Sequence, residues 1–307
     1  MTIEGKMLIP NDLNSRKNDE LNSDLTYFIC IELDNNSDVI HIKGHFNNQA
    51  EQHRVRFVIK GEEPQKYSYA GTQYGIVERE TIPSGLKKWK KEKWFEEPSP
   101  TFPLLNHVSR KGTYTTTVYT RGLKEYEFIN EGNKDIALTV FRSYGAMGYP
   151  DLNRRPGRPS GLDYMVFNTP ECQMKKNNEF DFGISYSDNA DFNMINKRYI
   201  LFASDLMYYQ KQDFDKSVNP ISYFPTNALE IVLPSNYDFF SLGDSNVGFG
   251  SLVKADKSET YILRVYNNED SNKLEMPKIN NNYFETRVVN LEEDMLNTEP
   301  FSELLEG

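Results

Sequence analysis

The amino-acid sequence predicts an all-β protein. The chain of 307 residues contains 8 alanines against 30 asparagines, a composition that disfavours helices and is typical of strands joined by turns. Short segments that alternate apolar and polar residues recur along most of the chain, whereas segments with a helical period are almost absent. Aromatic residues make up 13% of the chain, too many for a disordered protein. Short strands separated by turns indicate sandwiches or barrels.

The first strands are predicted to form a hairpin. Residues 25–33 and 38–46 are both strand-like, and the segment 34–37 between them, Asp-Asn-Asn-Ser, has the composition of a tight turn. Residues 53–60 predict the next strand, because apolar side chains alternate with arginines along it.

Two further segments are predicted to lack regular structure. Residues 1–24 are polar and rich in asparagine, and we expect a connector there. Residues 61–112 hold both tryptophans and are predicted to be a long irregular segment, which in a compact domain is usually functional or folded over a face.

One short helix is predicted within residues 196–212. The remaining predicted strands are residues 114–120, 124–130, 136–142, 180–186, 229–233, 247–255, 259–266 and 283–291.

A domain boundary is predicted at the turn-forming residues 234–236. It divides the chain into a large β domain, residues 1–234, and a small C-terminal β-sandwich, residues 235–307. A chain of this length can bury roughly 75% of its unfolded surface, so neither domain depends on a disulfide or a metal for stability.

The charge and the apolar runs exclude several classes of protein. The net charge is -10 and the mean hydropathy is -0.67, and apolar runs are far shorter than the ~20 residues that span a bilayer, so we expect no membrane partner. The acidic balance argues against nucleic-acid binding. Two cysteines are too few for a secreted disulfide framework. Because the N-terminus also lacks the pattern of a signal peptide, a cytoplasmic location is expected.

The histidines do not have the spacing of a metal site. The sequence has four, and His41 and His45 share one strand face. At ~3.3 Å per residue their Cα atoms lie ~13 Å apart, too far to ligate one zinc without bending the strand. Motifs of nucleophilic or phosphate-binding sites are also absent. The sequence therefore predicts neither a catalytic residue nor a metal ligand in this chain.

Residues 151–161 form the least ordinary segment. Arg154, Arg155 and Arg158 lie within five residues of one another, in a loop that two prolines stiffen and two glycines turn. Such a loop can present guanidinium groups to carboxylates or to a hydroxyl-rich ligand. It can equally be a packing loop that joins strands through backbone carbonyls, and the sequence alone leaves both interpretations open. Residues 87–94 mix lysines with both tryptophans; a solvated loop is favoured there over a site for single-stranded nucleic acid, and the tryptophans could also pack on a sugar face.

Seven segments together form a recognisable set: residues 53–57, 122–128, 136–148, 154–161, 169–173, 262–267 and 289–293. In their sequence and order they resemble the C-terminal β region of family 38 α-mannosidases, particularly the bacterial branch. The resemblance extends over about residues 25–293 and includes the arginine loop.

The resemblance implies a fold and a function. The expected fold is a large supersandwich like that of galactose mutarotase, followed by a smaller sandwich. The zinc site and nucleophile of the family belong to a separate catalytic domain, so this chain would be a C-terminal fragment without cofactor and inactive alone. The complete enzyme would be a retaining glycosidase of mannose metabolism that acts on terminal α-mannosides. In the family an arginine of the β region approaches the substrate; Arg158 is the closest match and Arg155 the second, with Arg154 beside them.

Two other functions stay open at this point. A free-standing carbohydrate-binding or interaction module would need no catalytic domain. A mutarotase-like sugar isomerase would share the supersandwich fold, but it would require a histidine near a glutamate in a cleft. The oligomeric state is open, and a homo-oligomer is compatible with the sequence.

Overall fold

The structure, a computed structural model, describes residues 1–157, 165–189, 191–208, 234–237, 247–267 and 287–296. The chain divides into two units, Met1–Ala203 and Ser204–Gly307. The predicted boundary at residue 234 differs from this division by about thirty residues; since most residues of 209–246 are outside the described part, the extent of the two domains stays a prediction.

Strands dominate the first unit. Its strands are β1 (Thr2–Ile9), β2 (Ser23–Glu32), β3 (Ile40–Asn47), β4 (Arg54–Ile59), β5 (Tyr67–Thr72), β6 (Gly75–Glu80), β7 (Thr101–Pro103), β8 (His107–Arg110), β9 (Thr115–Thr120), β10 (Glu125–Ile129), β11 (Asp135–Arg142), β12 (Ala146–Met147), β13 (Phe167–Asn168) and β14 (Asn177–Ser187), and its helices are α1 (Leu13–Lys17) and α2 (Phe192–Ala203).

Two antiparallel sheets form a sandwich. The larger sheet has eight strands in the order β1-β2-β3-β14-β9-β8-β5-β6, and the smaller has four in the order β4-β11-β10-β7. The apolar core draws on both sheets, with Phe46, Val118 and Phe182 from the larger and Tyr126 and Leu138 from the smaller. Side chains two residues apart share a strand face, which explains why alternate residues of each strand enter this core. The predicted all-β fold is confirmed.

Helix α2 covers part of the opposite face of the larger sheet. Its Ile195 and Phe202 pack with Val39 and Tyr119 in a second, smaller apolar cluster. Tyr119 follows Val118 in β9, so consecutive residues of this strand serve the two different clusters. Among the described residues, no helix combines the length and the apolar character needed to cross a membrane.

The second unit is described in part. Strands β15 (Val247–Lys254) and β16 (Tyr261–Asn267) form an antiparallel hairpin, whose register shifts between Phe249 and Ser251. Lys254 pairs with Glu259 at 2.8 Å, and Lys257 pairs with Asp294 at 2.9 Å. The backbone N–H of Asp256 donates to Glu293 Oε2 at 2.9 Å. The predicted strand 229–233 lies outside the described residues, as does most of 283–291.

Most strand predictions are confirmed, and two predictions of irregular structure are wrong. The hairpin of residues 25–33 and 38–46 corresponds to β2 and β3, which pair antiparallel. The connector predicted for residues 1–24 instead contains β1 and α1, and the irregular segment 61–112 contains β5, β6, β7 and β8. The helix predicted within 196–212 begins earlier, at Phe192. Strand β1 was missed because it is an edge strand whose side chains are exposed on both faces, so it shows no buried alternation.

Candidate functional site

A cleft of about 520 Å³ lies between residues 89–95 and the loop 151–157. We call it the tryptophan cleft, because Trp89 and Trp94 line it and are the two tryptophans of the chain. The remaining lining residues are Lys90, Lys93, Phe95, Asp151, Leu152, Asn153 and Pro156. The structure thus brings together two of the segments that the sequence singled out separately.

Residues 83–94 wind through successive turns that fix the tryptophans differently. Backbone bonds run from Trp89 N to the carbonyl of Gly85 and from Trp94 N to the carbonyl of Trp89, each 2.9 Å long. The side chain of Trp89 is buried, at 5% exposure, and anchors the segment. The indole of Trp94 packs directly against Gly85, and a Cβ atom at residue 85 would overlap this ring. Trp94 remains 42% exposed and Phe95 90% exposed, so both rings are open to a ligand.

The opposite wall is a tightly closed loop. Asp151 N donates to the carbonyl of Gly157 at 2.9 Å, and Gly157 N donates back to Asp151 Oδ1 at 3.0 Å. Arg155 N donates to the carbonyl of Leu152 at 2.9 Å. Gly157 has a φ of 92°, a conformation that L side chains rarely adopt, which explains the glycine at this turn. The loop therefore holds its shape through its own backbone.

The two described arginines of the loop have different surroundings. Arg154 is largely exposed; its Nε lies 3.3 Å from Glu97 Oε2, and Glu97 N donates to its carbonyl at 2.8 Å. Arg155 is mostly covered: its Nη2 donates to the carbonyl of Tyr149 at 3.0 Å, and its Nε lies 3.9 Å from Glu96 Oε1. Arg155 thus fits the packing interpretation, whereas Arg154 joins the two walls. Arg158 lies outside the described residues.

The histidines do not fit the zinc that the resemblance implies for the family. Nε2 of His41 lies 2.6 Å from Asp181 Oδ1, and its ring packs edge-on against Phe202. His45 stacks on Phe28, and His53 packs against Phe141. His107 is fully buried. Within the described ranges, no three His, Cys, Asp or Glu side chains form a group that could hold a metal.

Sequence reasoning missed that the cleft exists. The sequence favours a solvated loop for residues 87–94 and gives no link between them and the arginine loop, because a local pattern does not show that two distant segments meet. The one signal available was the pair of tryptophans in an otherwise polar segment. Phe95, the most exposed ring of the cleft, was not singled out.

Comparisons with known proteins identify the fold. No family model matches the chain. The chain is 29% identical, over 165 residues, to a Halalkalibacterium halodurans protein named "Putative mannosylglycerate hydrolase"; the match covers 52% of this chain and 15% of that protein.

Two solved structures from Enterococcus faecalis match nearly the whole chain. One is a protein in glycosyl hydrolase family 38, with a TM-score of 0.67, 16% identity, and coverage of 96% of this chain and 32% of that chain. The other is an α-mannosidase from strain V583, with a TM-score of 0.67, 17% identity, and coverage of 96% and 31%. This chain therefore spans about a third of either solved chain. The resemblance seen in the sequence is thereby confirmed, since this all-β fold is one shared with part of a family 38 glycosyl hydrolase.

Proposed function

We propose that this chain is the β module of a family 38 α-mannosidase and that its tryptophan cleft contacts carbohydrate. In the complete enzyme, a retaining glycosidase, the catalytic zinc and nucleophile would belong to another domain, and this module would support and complete the active site. The shared fold and the name of the H. halodurans relative, "Putative mannosylglycerate hydrolase", support this proposal.

The observation that carries the proposal is the pairing of open aromatic rings with charged side chains in the tryptophan cleft. A sugar ring has apolar C–H faces and a rim of hydroxyl groups. The apolar faces pack well on rings such as those of Trp94 and Phe95, and the hydroxyls require donors and acceptors at the edge. Lys90, Lys93 and Asn153 supply such groups from both walls.

The arginine loop forms one wall of the cleft. Arg154 links the loop to Glu97, directly after the aromatic segment. Arg155 holds the loop through the carbonyl of Tyr149. Arg158 follows Gly157 in the sequence, and we keep it as the residue that reaches sugar hydroxyls or an active-site carboxylate in the complete enzyme.

The alternatives differ in what they require. A free-standing carbohydrate-binding module would use the same cleft without a catalytic domain. A sugar isomerase would need a histidine in the cleft, and the residues that line the tryptophan cleft include none. The cytoplasmic location and the oligomeric state stay predictions.

Intrinsic fluorescence tests the binding proposal directly, because both tryptophans of the chain line the cleft. We expect methyl α-D-mannopyranoside to change the emission of the purified chain with a Kd near 1 mM, as for a weak single-ring ligand. Phe95→Ala leaves both fluorophores in place and should weaken binding about fivefold to tenfold. Tyr74→Ala, which removes an exposed ring that does not line the cleft, is the matched control. No emission change at ~10 mM sugar would refute the proposed contact.

An activity measurement separates the module from an autonomous enzyme. We expect the purified chain not to hydrolyse an aryl α-mannoside, because the family places its catalytic groups in another domain. Turnover by the purified chain that a chelator abolishes would contradict this expectation. Sugar binding without turnover fits both the module and the free-standing alternative. These two then differ in whether the gene encodes a catalytic domain upstream.

A further inference from the structure

A second cleft, of about 230 Å³, lies at one open end of the sandwich. We call it the tyrosine cleft, after Tyr114 and Tyr186, which line it together with Glu62, Glu63 and Arg110. It uses strands β8, β9 and β14 of the larger sheet and the residues that follow β4. None of its lining residues belongs to the tryptophan cleft.

The register of the strands places its main side chains on one surface. Thr116 is the direct partner of Tyr186 in β14 and of Arg110 in β8. Direct partners in neighbouring strands share a face, and so do residues two apart in one strand. Tyr114, which directly precedes β9, lines the same cleft. The same face carries Val118 and Ile184, which belong to the core. The tyrosine cleft is therefore the continuation of the core face.

Apolar side chains would be expected on a core face, yet here it ends in exposed rings and charges. Tyr114 is 59% exposed and Tyr186 54% exposed. Single exposed aromatic residues are normal on protein surfaces, but two that flank one polar cleft indicate a place where a ligand packs. Neighbouring strands lie about 5 Å apart, so the Cα atoms of Arg110 and Tyr186, on either side of Thr116, are separated by roughly 10 Å. This separation suits one sugar ring.

Among the described residues, one buried donor of the cleft has no hydrogen-bond partner. Glu63 Oε1 accepts from Thr113 N at 3.0 Å, and this bond together with that from the Thr113 hydroxyl joins the loop after β4 to the turn between β8 and β9. The guanidinium of Arg110 is held in place, since its Nη2 donates to the carbonyl of Lys60 at 3.0 Å. Its Nε is buried and has no hydrogen-bond partner among the described residues. A buried donor of this kind is costly unless a ligand or water accepts from it.

The charges that line the cleft select the kind of ligand. Lys60 and Arg110 line the cleft with two positive charges, and Glu62 and Glu63 line it with two negative ones. Because Asp135 already pairs with Lys60 at 3.0 Å, the acidic side chains are in slight excess. This excess disfavours an anion and the guanidinium of Arg110 disfavours a cation, which leaves a neutral ligand. The volume of the tyrosine cleft is below the roughly 300–1,000 Å³ of sites for drug-sized ligands. The cleft can therefore hold only a small ligand.

We propose that the tyrosine cleft is a second carbohydrate site, which binds one neutral hexose unit between Tyr114 and Tyr186, with the Arg110 Nε–H donating to a sugar oxygen. This inference stands apart from the proposed function, because it concerns different residues and requires neither the tryptophan cleft nor a catalytic domain.

Tyrosine-selective NMR on the full chain tests the proposal. The chain carries Phe95→Ala, which weakens the tryptophan cleft, and ¹³C-labelled tyrosine rings report the second site. We expect methyl α-D-mannopyranoside or methyl α-D-glucopyranoside to shift the ring signals of Tyr114 and Tyr186, with sodium D-glycerate having no effect. Tyr186→Ala should weaken the sugar response of Tyr114 about fivefold to tenfold. Tyr186→Phe, which keeps the ring and the fold, should weaken it less.

The control and the contrary outcomes are distinct. Tyr74→Ala removes an exposed tyrosine of the turn between β5 and β6, which does not line the cleft, and should leave the titration unchanged. If neither ring signal moves with sugar, or if Tyr186→Ala and Tyr186→Phe both leave the response of Tyr114 intact, the second site is refuted. If glycerate alone shifts the signals, the cleft binds anions and the proposed ligand class is wrong. Tryptophan emission of the unmodified chain still reports the first cleft, so failure of one proposal is distinguishable from failure of the other.

Discussion

The ammonium group of Lys60 lies 3.0 Å from Oδ2 of Asp135, a carboxylate with no exposed surface, while the lysine side chain is 77% exposed. Asp135 begins β11 and Lys60 follows β4, so the pair closes one end of the smaller sheet. Burial raises the pKa of Asp135, but hydrogen bonds from Gly61 N, Asn130 and Lys60, with the charge of Lys60, outweigh it and lower the pKa from 3.8 to about 2.

Asp135→Asn should therefore destabilise the first unit near neutral pH. The folded pKa of about 2 is below the value of 3.8 for the free side chain, so the charge contributes stability above about pH 4, which is lost as the pH falls through 2. At 1.36 kcal/mol per pKa unit this amounts to about 2 kcal/mol. Urea unfolding at pH 7 and at low pH measures this contribution. The difference in the free energy of unfolding between wild type and Asp135→Asn should be smaller at low pH. Asp34→Asn, at an exposed turn residue, is the control; an equal loss in both variants would contradict the prediction.

His107 should make the chain sensitive to mild acid. Burial lowers the pKa of this fully buried ring from 6.5 to about 3, and neither ring nitrogen has a partner among the described residues. Below pH 6.5 the unfolded chain takes up a proton that the folded ring cannot. The free energy of unfolding therefore falls by up to about 1.36 kcal/mol per pH unit between 6.5 and 3.

The substitution His107→Phe removes this proton uptake. Thermal melts from pH 7 to pH 4 should show a weaker pH dependence in the variant than in wild type, whatever their difference at pH 7. His45→Phe replaces a half-buried histidine that stacks on Phe28 and serves as the comparison. Parallel curves for His107→Phe and wild type would show that His107 is not the group responsible.

Gly44 should tolerate no side chain. It lies in β3 between β2 and β14, and a Cβ atom there would overlap the carbonyl oxygen of Phe28 and come 2.9 Å from the ring of Phe180. Because the obstacle is backbone at the centre of the larger sheet, we expect Gly44→Ala to cost about 3 kcal/mol. Gly75→Ala places its Cβ atom in open space and should change stability by less than about 0.5 kcal/mol. Chemical denaturation of both variants decides, and similar stability in the two would contradict the prediction.

The arginine loop yields a kinetic prediction for the complete enzyme. A charge-assisted hydrogen bond formed in the transition state is worth roughly 1.5–3 kcal/mol, so Arg158→Ala should reduce kcat/KM by ~10–150-fold with little change in Tm. Arg155→Ala should do the reverse, because its guanidinium holds the carbonyl of Tyr149. A kinetic loss in Arg155→Ala with a silent Arg158→Ala would move the substrate contact to Arg155. No kinetic effect in either variant would make the loop purely structural.

The sequence predicted the strands that direct alternate side chains into the core. β2, β3, β10, β11 and β14 each carry core residues at alternate positions, which is the period that pattern reasoning detects. β1 lies at an edge and buries neither face, so its polar residues resemble a connector. β7 and β8 have three and four residues, too few to show a period.

The two clefts were less accessible to prediction. The arginine loop was identified because its composition is unusual in one short segment. Its meeting with the aromatic segment, and that of Tyr186 with Arg110 around Thr116, depends on strand order and register. Those are properties of the folded sheets, since the partners come from distant segments, and no local pattern encodes them.

The position of β14 in the larger sheet has a consequence for synthesis. This strand, Asn177–Ser187, pairs with β3 on one side and with β9 on the other. The larger sheet therefore stays in two separate halves until β14 has emerged from the ribosome. During that interval β3 and β9 each present an open edge, the condition in which strands pair with the wrong chain. We therefore expect the nascent chain to be a target for chaperones until residues 177–187 have emerged from the ribosome, and to close the sheet and escape them afterwards.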